Sequence, residues 1–294
     1  MKKPRKIIIV EPAGYCRGVD RAIKIAKKTK EKYPNREVIV LGMLVHNLDA
    51  IKELDDMGIK TISNKTNNLL DLIDNIRNDS IVILTAHGHS DEVERKLNLL
   101  NISFVDATCP FVKKALIDMK EFLNEGRDII YIGKENHPES NAALSLSNKV
   151  HLLTFNGKID ESLKTHNPVV VSQSTFSNRD VTSFQNKIKE KLTNVTIYPS
   201  ICNASLSRQK SLLSLDKNTD LIIVVGGINS NNTITLYNLA KKNFKNAKIL
   251  LIENKNDLNI NELSLYQNIA IVSGASTPIR IVNEIKLLIE QLND

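Results

Sequence analysis

Three cysteines constrain this chain more than any other feature. Cys16, Cys109 and Cys202 are its whole complement, and 93 residues separate each from the next (16 to 109, 109 to 202). Each closes a similar stretch. Ile7-Ile8-Ile9-Val10 precedes Gly14-Tyr15-Cys16, Ile102 to Val105 precedes Asp106-Ala107-Thr108-Cys109-Pro110, and Val195-Thr196-Ile197-Tyr198 precedes Ser200-Ile201-Cys202. After Cys109, Val112, Leu116, Met119 and Leu123 recur at helical spacing, and Pro110 suits a first helical position because the N–H it lacks has no partner there. Cys109 is thus predicted at a helix N-terminus after a strand, where unpaired N–H groups and the helix dipole favour a thiolate. Val19, Ala22, Ile23 and Ala26 share a face after Cys16. After Cys202 the pattern is less clear, since Leu206 and Leu213 share a face but polar residues lie between them. A lone cysteine is most often a small buried hydrophobe. Three at equal spacing look like one site assembled from three repeats.

A chain of 294 residues holds two or three domains of ordinary size, and the period favours three: 1–105, 106–198 and 199–294. Apolar runs at Val38–Val45, Ser80–Thr85, Asp128–Ile132, Val169–Ser172, Leu221–Val225, Ile249–Ile252 and Ile269–Ser273 read as strands, many separated by amphipathic stretches of helical length. This alternation predicts three similar α/β domains with mainly parallel sheets. A pseudo-threefold arrangement of the domains would gather their ligands on one axis. Asn-rich patches at Asn64–Asn68 and Asn229–Asn232 read as loops.

Ligands of open α/β sheets bind beyond the carboxyl ends of the strands. Counted from the cysteine of its repeat, His46 lies 30 residues on and His87 71. His137 and Ser174 lie 28 and 65 on, and Ser230 and Ser276 lie 28 and 74 on. Taken singly, each of these is more often a surface, capping or turn residue. Shared offsets favour a functional reading for the set. His89, His151 and His166 have no such support and are read as structural.

Three thiolates are too few for a closed four-cysteine zinc site; a zinc site of three cysteines and one histidine stays open, but such sites usually bring ligands in close pairs such as C-x-x-C, which are absent here. They suit a 4Fe–4S cluster with one iron left open for substrate. The histidines, and the loop Gly226 to Thr233 with its hydroxyls, amides and backbone N–H groups, point to an anionic substrate. No Walker A or G-x-G-x-x-G pattern indicates a nucleotide. Glu139, in a loop with His137-Pro138, can deliver protons, and Ser174 and Thr175 can extend a relay. An isolated Glu would otherwise be read as a solvated charge.

The formal charge of +7 suits phosphorylated substrate, nucleic acid or an acidic electron carrier. Lys and Arg are spread rather than blocked, and with no Trp and no RNA-binding aromatic motif a basic nucleic-acid-binding protein is the weaker alternative. A zinc-dependent phosphate-ester hydrolase is the other. No segment reaches the ~18 apolar residues of a membrane span. The basic start Met1-Lys2-Lys3-Pro4-Arg5-Lys6 is followed by too short an apolar run for a signal peptide, and the odd cysteine count argues against a disulfide framework. The expectation is a cytoplasmic protein with no membrane partner.

Together these stretches resemble the 4-hydroxy-3-methylbut-2-enyl diphosphate reductase family. The resemblance runs from Gly14-Tyr15-Cys16-Arg17-Gly18-Val19-Asp20-Arg21-Ala22 to Ser273-Gly274-Ala275-Ser276-Thr277-Pro278. Between them lie Val45-His46-Asn47, Ala86-His87-Gly88, Asp106 to Pro110, His137-Pro138-Glu139, Gln173-Ser174-Thr175, Ile201-Cys202 and Asn229 to Asn232. It implies three α/β domains around a central 4Fe–4S cluster held by Cys16, Cys109 and Cys202, with the fourth iron open to the substrate hydroxyl. It implies that His46, His87, His137, Ser174, Ser230, Asn231, Asn232 and Ser276 line the substrate, mostly at its diphosphate, and that Glu139 donates protons. The implied reaction is the last step of the methylerythritol phosphate route to isoprenoids, a two-electron dehydroxylation fed by a ferredoxin- or flavodoxin-like donor. The family usually has Thr at Ser174 and a second Ser at Asn231. Where this chain reads Ser140-Asn141-Ala142, the family continues with Val and a Gly.

Overall fold

A computed structural model describes residues 5–64, 68–192 and 194–292. Met1 to Pro4 of the basic start, Lys65-Thr66-Asn67 of the first Asn-rich patch and the side chain of His166 lie outside the described residues. Strands and helices alternate along the chain as β1 (Lys6–Ile9), α1 (Arg17–Lys32), β2 (Val38–Leu41), α2 (Leu48–Asp56), β3 (Ile59–Ile62), α3 (Leu69–Ile73), β4 (Ile81–Leu84), α4 (Asp91–Leu99), β5 (Ser103–Asp106), α5 (Pro110–Asn124), β6 (Ile129–Ile132) and α6 (Pro138–Leu144). They continue as β7 (Val150–Leu153), β8 (Val169–Ser172), α7 (Asn178–Lys191), β9 (Thr196–Ile197), α8 (Asn203–Leu213), β10 (Leu221–Val225), α9 (Asn231–Asn243), β11 (Lys248–Ile252), α10 (Ile260–Leu263), β12 (Asn268–Ser273) and α11 (Ile279–Gln291).

Among the described residues the strands form three four-stranded sheets, ordered β3-β2-β4-β5, β7-β6-β8-β9 and β11-β10-β12-β1, with every pairing parallel. The three orders are one topology. In the third sheet the edge place is taken by β1, at the other end of the chain, with Lys6 opposite Asn268 and Ile9 opposite Ile271. The strand that leads to a cysteine is therefore an edge strand in every sheet. The expected parallel α/β architecture in three copies is what the chain forms.

The chain divides into two compact units. The first comprises Met1–Arg17, Val45–Ala50 and Cys202–Asp294 and contains the sheet of β1, β10, β11 and β12. Its strands are continuous apolar runs because both faces are covered. Leu221, Ile223, Val225, Ile269 and Ile271 pack with Ile281, Val282, Ile285 and Ile289 of α11, while Ile222, Val224, Ala270 and Val272 pack with Leu236, Leu239 and Ala240 of α9. Each such aliphatic side chain contributes about 1.5–3 kcal/mol.

The second unit, Gly18–Leu44 and Ile51–Ile201, holds the other two sheets. Ile39, Leu41, Val82 and Leu84 meet Ile73 of α3 and Val93 and Leu97 of α4. Ile130, Ile132 and Val170 meet α7 through Val181, Phe184 and Ile188, and on the opposite face Ile129, Tyr131, Val169 and Val171 meet Met119 of α5 and Ala143 of α6. The run Val38–Val45 was longer than its strand. Gly42, at φ +89°, ends β2 after Leu41, although Leu44 and Val45 remain buried. Two short strands, β3 and β7, carry no strong period-2 or apolar signal and were not expected.

Candidate functional site

Each sheet delivers its polar residues at equivalent places. His46, His137 and Ser230 are each the fifth residue beyond β2, β6 and β10, which end at Leu41, Ile132 and Val225. His87, Ser174 and Ser276 follow β4, β8 and β12, the third strand of each sheet, by two or three residues. The offsets read from the sequence are thus strand positions.

In the first unit the geometry centres on Ala275. Its carbonyl accepts the Cys16 N–H (2.9 Å), and its own N–H donates to Asn232 Oδ1 (2.9 Å). The Asn232 amide donates to Ser205 Oγ (3.1 Å), and Ser276 Oγ lies 3.4 Å from Ser230 Oγ. Ser230 caps α9, accepting the Thr233 N–H, so Asn231 and Asn232 form the first helical turn rather than the loop that the Asn-rich patch suggested. All four of Ser230, Asn231, Asn232 and Ser276 are buried. Gly227 explains how His46 reaches this group. A Cβ there would stand 1.9 Å from the His46 carbonyl oxygen, so only glycine permits the approach. Burial lowers the His46 pKa, which favours a neutral ring. Cys202 caps α8, its sulfur accepting the Ser205 N–H at 3.3 Å, a bond that favours the thiolate.

The second unit holds Cys109, His87, His137, Glu139 and Ser174. Cys109 is the N-cap of α5, with Pro110 as its first residue, as the sequence predicted. Its N–H donates to the carbonyl of Ala86, the residue before His87 (3.0 Å). The Cys16 bond to Ala275, the residue before Ser276, is its counterpart. Asp106 fixes the approach by accepting the Thr108 N–H (2.8 Å) and the Lys113 ammonium (2.9 Å). Burial acts to raise the Asp106 pKa, but these bonds outweigh it and hold the carboxyl at about 2. The His87 and His137 rings meet edge to face, with centroids 5.8 Å apart.

His137 caps α6, its Nδ1 accepting the Glu139 N–H at 3.2 Å. Glu139 is therefore a first-turn residue of a helix, not of a loop. The short helix, seven residues, left too little periodicity to read. Ser140, Asn141 and Ala142 continue that helix. Glu139 receives two bonds from Ser174: the backbone N–H donates to Oε1 (2.8 Å) and the hydroxyl to Oε2 (3.0 Å). Burial raises its pKa to about 7, against the opposing bonds from Ser174 and the opposing pull of the nearby Tyr131 phenol. Burial likewise raises the Tyr131 pKa.

The histidines read as structural have local partners: His89 Nε2 lies 2.8 Å from Glu94, and His151 Nε2 lies 3.0 Å from Asp128. The sequence reading missed Arg208, Ser205 and Gln209, which line the buried face of α8 with Leu212. Their i, i+3, i+4 spacing is a helix signal, hidden because the stripe is polar. It also missed Tyr131, which reads as one more apolar strand residue.

Each thiol stands at or beside a helix start after an edge strand and is a soft donor of the kind that suits iron or zinc, although among the described residues no group of three or more His, Cys, Asp or Glu side chains is placed to hold a metal ion. Among the described residues no helix is long and apolar enough to cross a membrane. The fold and site define a parallel α/β protein in which one topology is used three times, each copy presenting a cysteine and two polar residues beyond its strands.

The chain belongs to the LytB protein family, which matches residues 7–290, and is an oxidoreductase. Similar proteins are the 4-hydroxy-3-methylbut-2-enyl diphosphate reductases of Malacoplasma penetrans (34% identical, covering 97% of both chains) and Alkaliphilus oremlandii (32% identical, covering 98% of this chain and 99% of that one). Among solved structures, the E-1-hydroxy-2-methyl-but-2-enyl-4-diphosphate reductase of Plasmodium falciparum is 27% identical with a TM-score of 0.86, over 97% of this chain and 88% of that one.

Proposed function

We propose that this protein reduces (E)-4-hydroxy-3-methylbut-2-enyl diphosphate to isopentenyl and dimethylallyl diphosphates. The carbon–oxygen bond breaks as the substrate takes up two electrons and two protons, and the hydroxyl leaves as water. The observation that carries this reading is the equivalent placement of the three cysteines, one after the edge strand of each sheet. Cys16, Cys109 and Cys202 would hold a 4Fe–4S cluster. When bound, such a cluster supplies the electrons and an open iron for the substrate oxygen.

The protein's own groups divide the remaining work. Ser230, Asn231, Asn232 and Ser276 offer hydroxyl and amide donors at the start of α9, where the helix dipole favours phosphate. His46, His87 and His137 add ring N–H donors. Glu139 holds the proton. With a pKa of about 7 it is protonated in roughly half of the molecules at neutral pH, and it can be reprotonated between steps. Ser174 fixes both of its oxygens. A ferredoxin- or flavodoxin-like protein of acidic surface would deliver electrons to this basic chain, and the reaction would take place in the cytoplasm.

The test is anaerobic purification followed by counting iron and sulfide. About four of each per chain, and formation of both products from the substrate with a chemical reductant, are expected. Stoichiometric zinc after anaerobic reconstitution with iron and sulfide, with phosphate release in place of dehydroxylation, would overturn the proposal.

A further inference from the structure

We infer that Arg208 is the charge-compensating residue for the Cys16 and Cys202 thiolates, and that its positive charge helps set the reduction potential of the iron–sulfur group they hold. This inference rests on the iron–sulfur reading above.

Arg208 is 3% exposed, which is rare for a guanidinium without a carboxylate bound to it. It sits on α8, the helix that Cys202 caps, on the buried face with Ser205 and Gln209. One of its terminal nitrogens donates to the Pro12 carbonyl (2.9 Å) and the other to the Gly14 carbonyl. These carbonyls belong to the turn that leads into Cys16. One side chain thus ties the Cys16 turn to the helix capped by Cys202, all within the first unit.

Two carbonyls do not require a cation, since an amide side chain also has donors. Burying a charge is unfavourable unless something compensates it. The negative groups acting on Arg208 are Cys16, Cys202 and, third, Glu11, whose carboxylate also accepts the Ala13 N–H. Burial works to lower the Arg208 pKa and these three groups work to raise it, while arginine stays protonated throughout. Its Nε is buried and finds no acceptor among the described residues. That N–H is a donor which the two carbonyls leave unused. A cluster on three thiolates becomes more negative on reduction, and a nearby buried cation favours the reduced state.

The experiment compares wild type, Arg208→Gln and Arg208→Lys after anaerobic reconstitution. Iron and sulfide are counted, circular dichroism checks the fold, and a redox titration is followed by electron paramagnetic resonance. Gln keeps donors for the carbonyls without the charge, and Lys keeps the charge without the fork. In Arg208→Gln the oxidised-to-reduced ratio at fixed potential should rise at least tenfold, a shift of about 59 mV to lower potential for a one-electron couple. Arg208→Lys should stay within about threefold of wild type in the same ratio. A folded, iron-loaded Arg208→Gln with the wild-type potential would overturn the inference and leave a plain clamp. If Arg208→Gln assembles no cluster, Arg208→Lys decides: cluster retention at near wild-type potential supports the charge, and equal loss of iron in a folded protein overturns it. Wild-type protein without iron would overturn the iron–sulfur reading itself, a result distinct from the others.

Discussion

The helices capped by Cys109 and Cys202 hold equivalent places in the repeat, yet they are built oppositely. Helix α5 buries Val112 and Met119, and its apolar stripe packs on a sheet. Helix α8 buries Ser205, Arg208, Gln209 and Leu212, so three of its four buried residues are polar. Their surroundings differ in the same sense. The unit of α8 gathers hydroxyls and amides at Ser230, Asn232 and Ser276, whereas the unit of α5 contains the buried acid Glu139. The difference teaches that copies of one fold can present opposite chemistry: under the proposed function, one copy would hold the anion and another would move the proton.

Glu139→Gln tests this division most severely. The amide keeps the shape but cannot give up a proton, so kcat should fall by roughly 10²–10⁴ while KM changes little. Near wild-type turnover would place the proton source elsewhere. The same residue predicts a pH dependence. Its folded pKa of about 7 lies above the ordinary value of 4.5, so its contribution to stability is fully present below pH 4.5 and is lost as pH rises through about 7. Activity should fall over the same upper range as the proton is lost. Glu139→Gln should abolish both trends, seen in kcat against pH and in thermal unfolding at pH 5.5 and 8.5.

Ser230→Ala probes the other half. It should raise KM about tenfold with a smaller effect on kcat, since a phosphate contact is mostly uniform binding. Loss of the α9 cap should also cost about 1 kcal/mol of stability. A pure kcat loss would put Ser230 at the reacting carbon and break the division. Asp106→Ala removes the acceptor that fixes the turn before Cys109, and should destabilise by about 1 kcal/mol, or about 2–4 °C in Tm. No change in melting would show that α5 packing alone sets that turn. The smallest effect is expected for Asn231→Ser. An amide and a hydroxyl can both donate at a helix start, so kcat/KM should stay within about threefold; a larger loss would show a contact specific to Asn231.

Much of this was legible because the signal was local. The strands Val169–Ser172 and Leu221–Val225 were bounded to the residue, since each is an apolar run covered on both faces. The helix after Cys109 announced itself through Pro110 and an apolar stripe. Helix α8 did not, because amphipathic periodicity reports a face turned toward oil, and its inner face is turned toward polar groups. Glu139 was found by its neighbours His137 and Pro138, but its place in a helix was not, since α6 is too short to show a period.

The sequence alone determined the threefold repeat, the parallel α/β class and the residues that each copy presents, because cysteine spacing and strand hydrophobicity survive in a one-dimensional record. Only the tertiary structure decided that β1 completes the sheet of β10, β11 and β12, since pairing between chain ends leaves no local mark. It also decided the Glu139 pKa and the burial of Arg208. Both depend on which distant segments exclude water from a charge: Ser174 and Tyr131 enclose the first, and Pro12 and Gly14 receive the second. Such desolvation is a property of the surroundings of a group, which the order of residues along the chain does not state.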